Sequence, residues 1–193
     1  MRIVVGISGA SGAVLAIRAL EALKAMGHET HLILSDAGKM TIAAETDVPI
    51  KRVESLATRV HSNKDFNSPL ASGSYRTDGM LILPCSIKTL SAVAHCYASD
   101  LLARAADVTL KEGRPLLLAV RETPLHAGHL KIMQQAAAMG AVIFPPLPAF
   151  YANLRSLEDM VDNMVGRILD RMGLRNELFR VWQGPERGEK REG

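Results

Sequence analysis

Apolar residues along this chain follow two rhythms. Short runs that are apolar at successive positions recur at 2–8, 29–35, 79–83, 115–120 and 141–144. Between them lie longer stretches in which apolar positions repeat every three to four residues: 14–26, 39–45, a segment opening near Ser86, 100–112, 126–139 and 156–172. The first rhythm predicts strands buried on both faces and the second predicts helices. Punctuation agrees. Gly27 closes the first helix and Pro84 stops the third strand, while Ser156, with Asp159 three residues on, reads as a helix N-cap. Pro145, Pro146 and Pro148 predict a stiff turn. The stretch 46–77 shows neither rhythm, and its polar part 61–74, with Pro69 and Gly73, reads as a long loop.

Strands alternating with helices predict an α/β protein: a mainly parallel sheet covered on both sides, formed by a single domain over 1–183. The last ten positions, GPERGEKREG, predict a disordered tail.

Ligands of such sheets bind beyond the carboxyl ends of the strands. That rule selects Ser8–Gly12, Ser35, Pro84–Thr89 and Arg121–Glu122. Gly6-Ile-Ser-Gly-Ala-Ser-Gly12 joins a strand to a helix, and its small residues allow close backbone approach to a ligand. The helix start beyond it suits a phosphate, with Ser8 and Ser11 adding hydroxyls. Its GxxGxxG spacing departs from the GxGxxG dinucleotide fingerprint, and no Walker lysine follows. A tight turn with no ligand fits the same residues. Ser86, Lys88 and Thr89 open a second helix, where Ser86 reads equally as an N-cap or a ligand contact. Arg121 and Glu122 end a buried strand, where they pair with each other or serve a ligand. Arg104, Asp107 and Lys111 share one helix face, as in a solvated ion-pair ladder.

Composition narrows the classes. The chain has 193 residues, 48% of them hydrophobic and 22% charged, which is enough for a globular core. Lys and Arg exceed Asp and Glu by 23 to 20, and aromatics are 4%, which argues against nucleic-acid binding. Two cysteines, Cys85 and Cys96, form no CxxC pair, so a disulfide framework is not expected and a reducing cytoplasm is. No signal-peptide pattern or membrane-length apolar run is seen. His126 and His129 lack a third ligand at metal spacing, so no metal is expected.

Taken together, GISGASGA, ETD at Glu45–Asp47, SGSYRTDGM, LPCSIKTLSAVA, RAADVTLKEGRPLLL, RETPLHAGHL, GAVIFPPLPAFY and the segment from Arg167 to Trp182 resemble the flavin prenyltransferase family (UbiX/Pad type). That family forms the small subunit of aromatic and phenolic acid decarboxylase systems. The resemblance runs in order over about 1–182. It implies a Rossmann-like three-layer αβα fold and a homododecamer with active sites at subunit interfaces. It implies transfer of the dimethylallyl group of dimethylallyl phosphate to N5 and C6 of reduced FMN. The product, prenylated FMN, goes to a separate decarboxylase. Carried over by motif, Gly9, Ala10, Ser11, Ser35, Ser86, Ile87, Lys88, Thr89 and Arg121 would bind FMN. Ser11, Lys111, Tyr151 and Arg167, joined by Arg104, would hold the donor. Glu45, Lys111, Glu122 and Trp182 would be the catalytic set. Ser8, Asp100, Lys131 and Ile132 depart from the family's usual residues. A decarboxylase of the cysteine-oxidising kind and a non-catalytic FMN-binding subunit are the alternative functions.

Overall fold

A computed structural model describes residues 1–184; the rest of the tail expected to be disordered lies outside the described residues. Strands and helices alternate as β1 (Arg2–Ile7), α1 (Ala13–Ala25), β2 (Glu29–Leu34), α2 (Asp36–Glu45), α3 (Ile50–Glu54), β3 (Arg59–Ser62), β4 (Gly79–Cys85), α4 (Ile87–Ala94), α5 (Leu101–Lys111), β5 (Leu116–Val120), α6 (Ala127–Ala138), β6 (Val142–Ile143) and α7 (Leu157–Arg171). The sheet runs β3-β2-β1-β4-β5-β6, and every neighbouring pair is parallel. The chain therefore winds outward from β1 to β3, returns to lay β4 against β1, and winds outward the other way. The reversal leaves a crevice between the carboxyl ends of β1 and β4, where such sheets bind ligands.

Burial explains why the strands were readable. Ile3, Val5, Ile7, Leu81 and Leu83 are fully buried, as are Met80, Ile82, Leu116 and Leu118 on alternating positions. Helices cover both faces, so no polar alternation is imposed. One layer packs α1 through Leu15, Ala16, Ala19, Leu20 and Leu23. On another, Leu90, Leu102, Ala105 and Ala106 of α4 and α5 join Val4, Met80 and Ile82 in one apolar cluster. Gly6 matters here. A Cβ on it would collide with the Leu102 side chain, so a glycine in β1 is what admits α5.

Two expectations change. The stretch 46–77 carries α3 and the sixth strand, β3, within residues expected to be irregular or looped. The four residues of β3 are exposed except for half-buried His61, so no apolar run marks it. Second, α2 begins at Asp36 rather than at 39, because Ser35 caps it by accepting from the Gly38 N–H at 2.9 Å. The caps read at Ser86 and Ser156 are as expected, accepting from the Thr89 and Asp159 amides. Asp100 accepts from the Ala103 N–H at 2.9 Å and caps α5, a role in which Asp and Asn are interchangeable.

The chain divides into two compact units, Met1–Pro146, which holds the whole sheet, and a second from Leu147 onward. In the second, α7 buries Val161, Val165, Ile168 and Leu169 on one stripe. Asn176 Nδ2 donates to the Gly166 and Leu174 carbonyls at 3.0 Å, folding the following segment onto the helix.

Candidate active site

At the crevice lies a cavity of about 590 Å³. Seven of the residues expected at the site line it: Gly9, Ser35, Ser86, Ile87, Lys88, Thr89 and Glu122. Helices α2 and α4 both start here. Ser86 accepts from the Thr89 N–H at 3.3 Å and donates to the Thr89 hydroxyl at 3.1 Å. The earliest amides of each helix have no partner within it, so two positive helix ends meet one hollow. Ile87, Ala92, Leu102 and Ala103 make an apolar wall. Cations, hydroxyls and helix ends on one side and an apolar wall on the other suit a phosphorylated molecule with a flat ring system, and the residues fit FMN.

The glycine loop is used differently from expectation. Ser8 is 1% exposed. Its hydroxyl donates to the Pro84 carbonyl at 2.9 Å and accepts from the Ser86 N–H at 2.8 Å. It ties the end of β1 to the end of β4. A Cβ on Gly9 would strike Ala37, so this glycine admits α2 as well as lining the cavity. The start of α1, expected to receive a phosphate, already holds an anion: Glu45 accepts from the Gly12 and Ala13 amides, each at 2.9 Å. Burial alone would raise the Glu45 carboxyl. Hydrogen bonds from the Ser11 hydroxyl and the Ala13 and Gly12 amides, with the Arg121 charge, outweigh it and hold the pKa below the ordinary value. Ser11, Glu45 and Arg121 are thereby brought together beside Ala10. The Arg121 N–H donates to the Cys85 carbonyl at 3.1 Å, extending the β4–β5 pairing to the site. Glu122 accepts from the Thr123 N–H at 3.0 Å. Cys85 is buried, which pushes its thiol pKa far up and makes it inert.

Within the first unit, Lys111 and Arg104 are not among the residues that line the cavity. The first turn of α5 lines the cavity through Leu102 and Ala103, but Lys111 is eight residues further along, about 12 Å down the axis. There Lys111 pairs with Glu112, whose carboxyl is held below its ordinary pKa by that hydrogen bond. Arg104 pairs with Asp107 at 2.7 Å and donates to the Ala71 carbonyl at 3.1 Å, as the ion-pair reading had it. In the second unit, Tyr151, Arg167 and Trp182 form a group of their own. Arg167 reaches the Tyr151 hydroxyl at 3.5 Å, and the Tyr151 and Trp182 rings meet edge to face at 5.3 Å. His126 caps α6 by accepting from the Gly128 N–H at 3.0 Å, with its ring against His129 at 3.6 Å. Among the described residues, no group of three or more His, Cys, Asp or Glu is arranged to hold a metal.

Asn63 and Lys64 also line the cavity, and sequence reasoning missed them. Only recognition of β3 would have carried them to the carboxyl edge of the sheet. Among the described residues no helix is long and apolar enough to cross a membrane.

Fold and crevice define an α/β protein of the Rossmann-like class with a mononucleotide-sized cavity at its switch point. The sequence profile of the Flavoprotein family matches residues 1–169. A flavin prenyltransferase UbiX of Thauera aromatica is 55% identical, over 98% of this chain and 97% of that protein. Among solved structures, AnUbiX (PadA1) in complex with FMN and dimethylallyl pyrophosphate has a TM-score of 0.93 and 48% identity, covering 95% of this chain and 97% of that one. A dodecameric FMN-dependent UbiX-like decarboxylase from Escherichia coli O157:H7 also has a TM-score of 0.93, with 45% identity over 95% and 100% of the two chains. The chain belongs to the flavoprotein family, within its flavin prenyltransferase branch.

Proposed function

We propose that this chain joins the dimethylallyl group of dimethylallyl phosphate to N5 and C6 of reduced FMN. Prenylated FMN is then handed to a separate aromatic acid decarboxylase. The observation that carries this reading is the cavity into which two helix N-termini open, next to the Ser11–Glu45–Arg121 group and Glu122, in a member of the flavin prenyltransferases.

Each residue has a task in this reading. The amides opening α2 and α4, with Ser35, Ser86, Lys88 and Thr89, hold the flavin phosphate. Gly9, Ala10 and Ile87 border the ring system. Reduced FMN supplies an electron-rich N5 and C6. The donor's C–O bond breaks to leave a phosphate and a developing allyl cation. Ser11 and Arg121 meet that phosphate from within the first unit. Lys111 lies at the far end of α5 from the cavity of its own chain, so it serves a neighbouring copy in a dodecamer. Tyr151 and Arg167 complete phosphate binding, and Trp182 offers an aromatic face to the cation. After the allyl carbon has joined N5, closing the ring on C6 adds a proton to the prenyl C=C, supplied by the departed phosphate, and removes one from C6, which Glu122 takes. The reaction belongs in the reducing cytoplasm, where reduced flavin and free thiols such as Cys85 and Cys96 persist.

Anaerobic incubation with reduced FMN and dimethylallyl phosphate, followed by mass spectrometry of the extracted flavin, tests the reading. A flavin heavier by one dimethylallyl unit is expected. Unmodified FMN recovered from a protein that binds both substrates would leave it an FMN carrier and not a transferase.

A further inference from the structure

Strand β3 has little apolar burial to hold it, yet it delivers a wall of the cavity. A buried polar chain secures it. His61 Nε2 lies 2.8 Å from His31 Nδ1, and His31 is 0% exposed in the middle of β2. His31 Nε2 lies 3.0 Å from Glu29 Oε1, and Glu29 Oε2 pairs with Arg2 Nε at 3.0 Å. At the other end, the Ser68 hydroxyl lies 2.8 Å from His61 Nδ1. The two imidazoles are stacked, with centroids 5.0 Å apart.

The carboxylate fixes the direction of the first bond. Hydrogen bonds from His31 and Arg2 hold the Glu29 carboxyl below its ordinary pKa, so it only accepts. His31 therefore donates from Nε2, and its Nδ1 shares one proton with His61 Nε2. His61 Nδ1 in turn bonds to the Ser68 hydroxyl. Burial, with His31 and Arg59 close by, keeps the His61 pKa below its ordinary value.

Two residues beyond His61 stands Asn63. Its carbonyl accepts from the Leu101 N–H at 2.9 Å and its side-chain Oδ1 from the Leu102 N–H at 2.8 Å. Asn63 thus takes two opening amides of α5, while Asp100 takes a third, that of Ala103. Asn63, Asp100, Leu102 and Ala103 all line the cavity. The wall is built from outside: His31 holds His61, His61 holds β3, and β3 places Asn63 on α5.

We propose that His61 is a positioning residue for flavin binding, acting through Asn63 on the first turn of α5. The proposal rests on the reading that this cavity takes FMN. It touches neither the glycine loop nor the donor phosphate, so its effect falls on flavin affinity.

The test compares the assembled wild type with His61→Ala, Asn63→Ala, the double variant and Asn63→Asp. FMN dissociation constants come from quenching of flavin fluorescence, and the Michaelis constant for reduced FMN and turnover come from the prenylation assay. Each alanine variant should weaken FMN about tenfold. The double variant should be no worse than about twice the weaker single, because both changes release the same element. Asn63→Asp keeps an acceptor for Leu102 and should stay within about twofold of wild type. In His61→Ala the Michaelis constant should rise about tenfold while turnover at saturation falls less than about threefold. Unchanged FMN affinity in either alanine variant overturns the proposal. So does a double variant in which the two losses multiply. If His61→Ala does not fold, His61→Asn, too short to span His31 and Ser68, is measured in its place, and unchanged FMN affinity there overturns the proposal. Wild type that fails to bind FMN would instead remove the functional reading beneath it.

Discussion

Glu45 shows how one carboxylate can serve both fold and site. Its bonds to the Gly12 and Ala13 amides place a negative charge on the positive end of α1 and tie down the loop that carries Ser11. Because Glu45 is exposed, screening keeps the stability contribution of that charge small, at about 0.5 kcal/mol. Its folded pKa lies below the unfolded value, so that contribution is present above about pH 4.5 and is lost as pH falls through the folded pKa. Glu45→Gln should therefore cost under about 1 kcal/mol at pH 7, and the gap to wild type should close as pH falls through the folded pKa, read from denaturant midpoints. Prenyl transfer should fall more than about tenfold in the same variant, beyond what the stability change allows. Matched losses in stability and turnover would reduce Glu45 to a helix cap. The sequence flagged Glu45 only through its resemblance to a family, since its partners lie 32 and 33 residues away.

At the scale of elements, the switch point depends on a hydroxyl that joins two strands. Ser8 satisfies the Pro84 carbonyl and the Ser86 amide from a site that is 1% exposed, where water cannot replace it. Ser8→Ala should cost about 1–3 kcal/mol, measured by urea unfolding at unchanged m-value. A change within error would mean that the β1–β4 register alone fixes the crevice. Ser8 was read as a ligand hydroxyl because its true partners lie 76 and 78 residues along the chain. Apolar runs made β1, β2, β4 and β5 legible, since both faces of each are covered. Two-residue β6 was legible from its apolar residues too. Strand β3 was not. Its pairing is bought by main-chain bonds and one buried imidazole, and neither leaves a hydrophobic pattern. Caps at Ser86 and Ser156 were legible because capping is local.

For the molecule as a whole, Glu122 of the expected catalytic set lines the cavity, and Lys111 of the same unit does not. Lys111 and its partner Glu112 stand at the opposite end of α5 from Leu102 and Ala103. If Lys111 serves a neighbouring copy, subunits with Lys111→Ala and subunits with Glu122→Gln should complement one another. Mixed assemblies of two separately inactive variants should regain a sizeable part of wild-type turnover, measured after co-refolding or co-expression. Mixtures as inactive as their parents would place both residues in service of the same site. Lys111→Ala alone should weaken dimethylallyl phosphate more than FMN, measured by separate titrations; equal weakening would indicate a folding defect. Sequence could name these residues but could not distribute them, because spacing along a helix says nothing about which copy a side chain faces.

The absent side chain at Gly6 has a reach that its position conceals. It lets Leu102 nestle against β1, and Leu102 lies in the first turn of the helix that walls the cavity. The width of the binding space is thus regulated from the rear, by a residue inside the sheet. A redesign seeking room for a bulkier flavin analogue would begin with a paired exchange of volume at positions 6 and 102, leaving the phosphate-facing serines as they are.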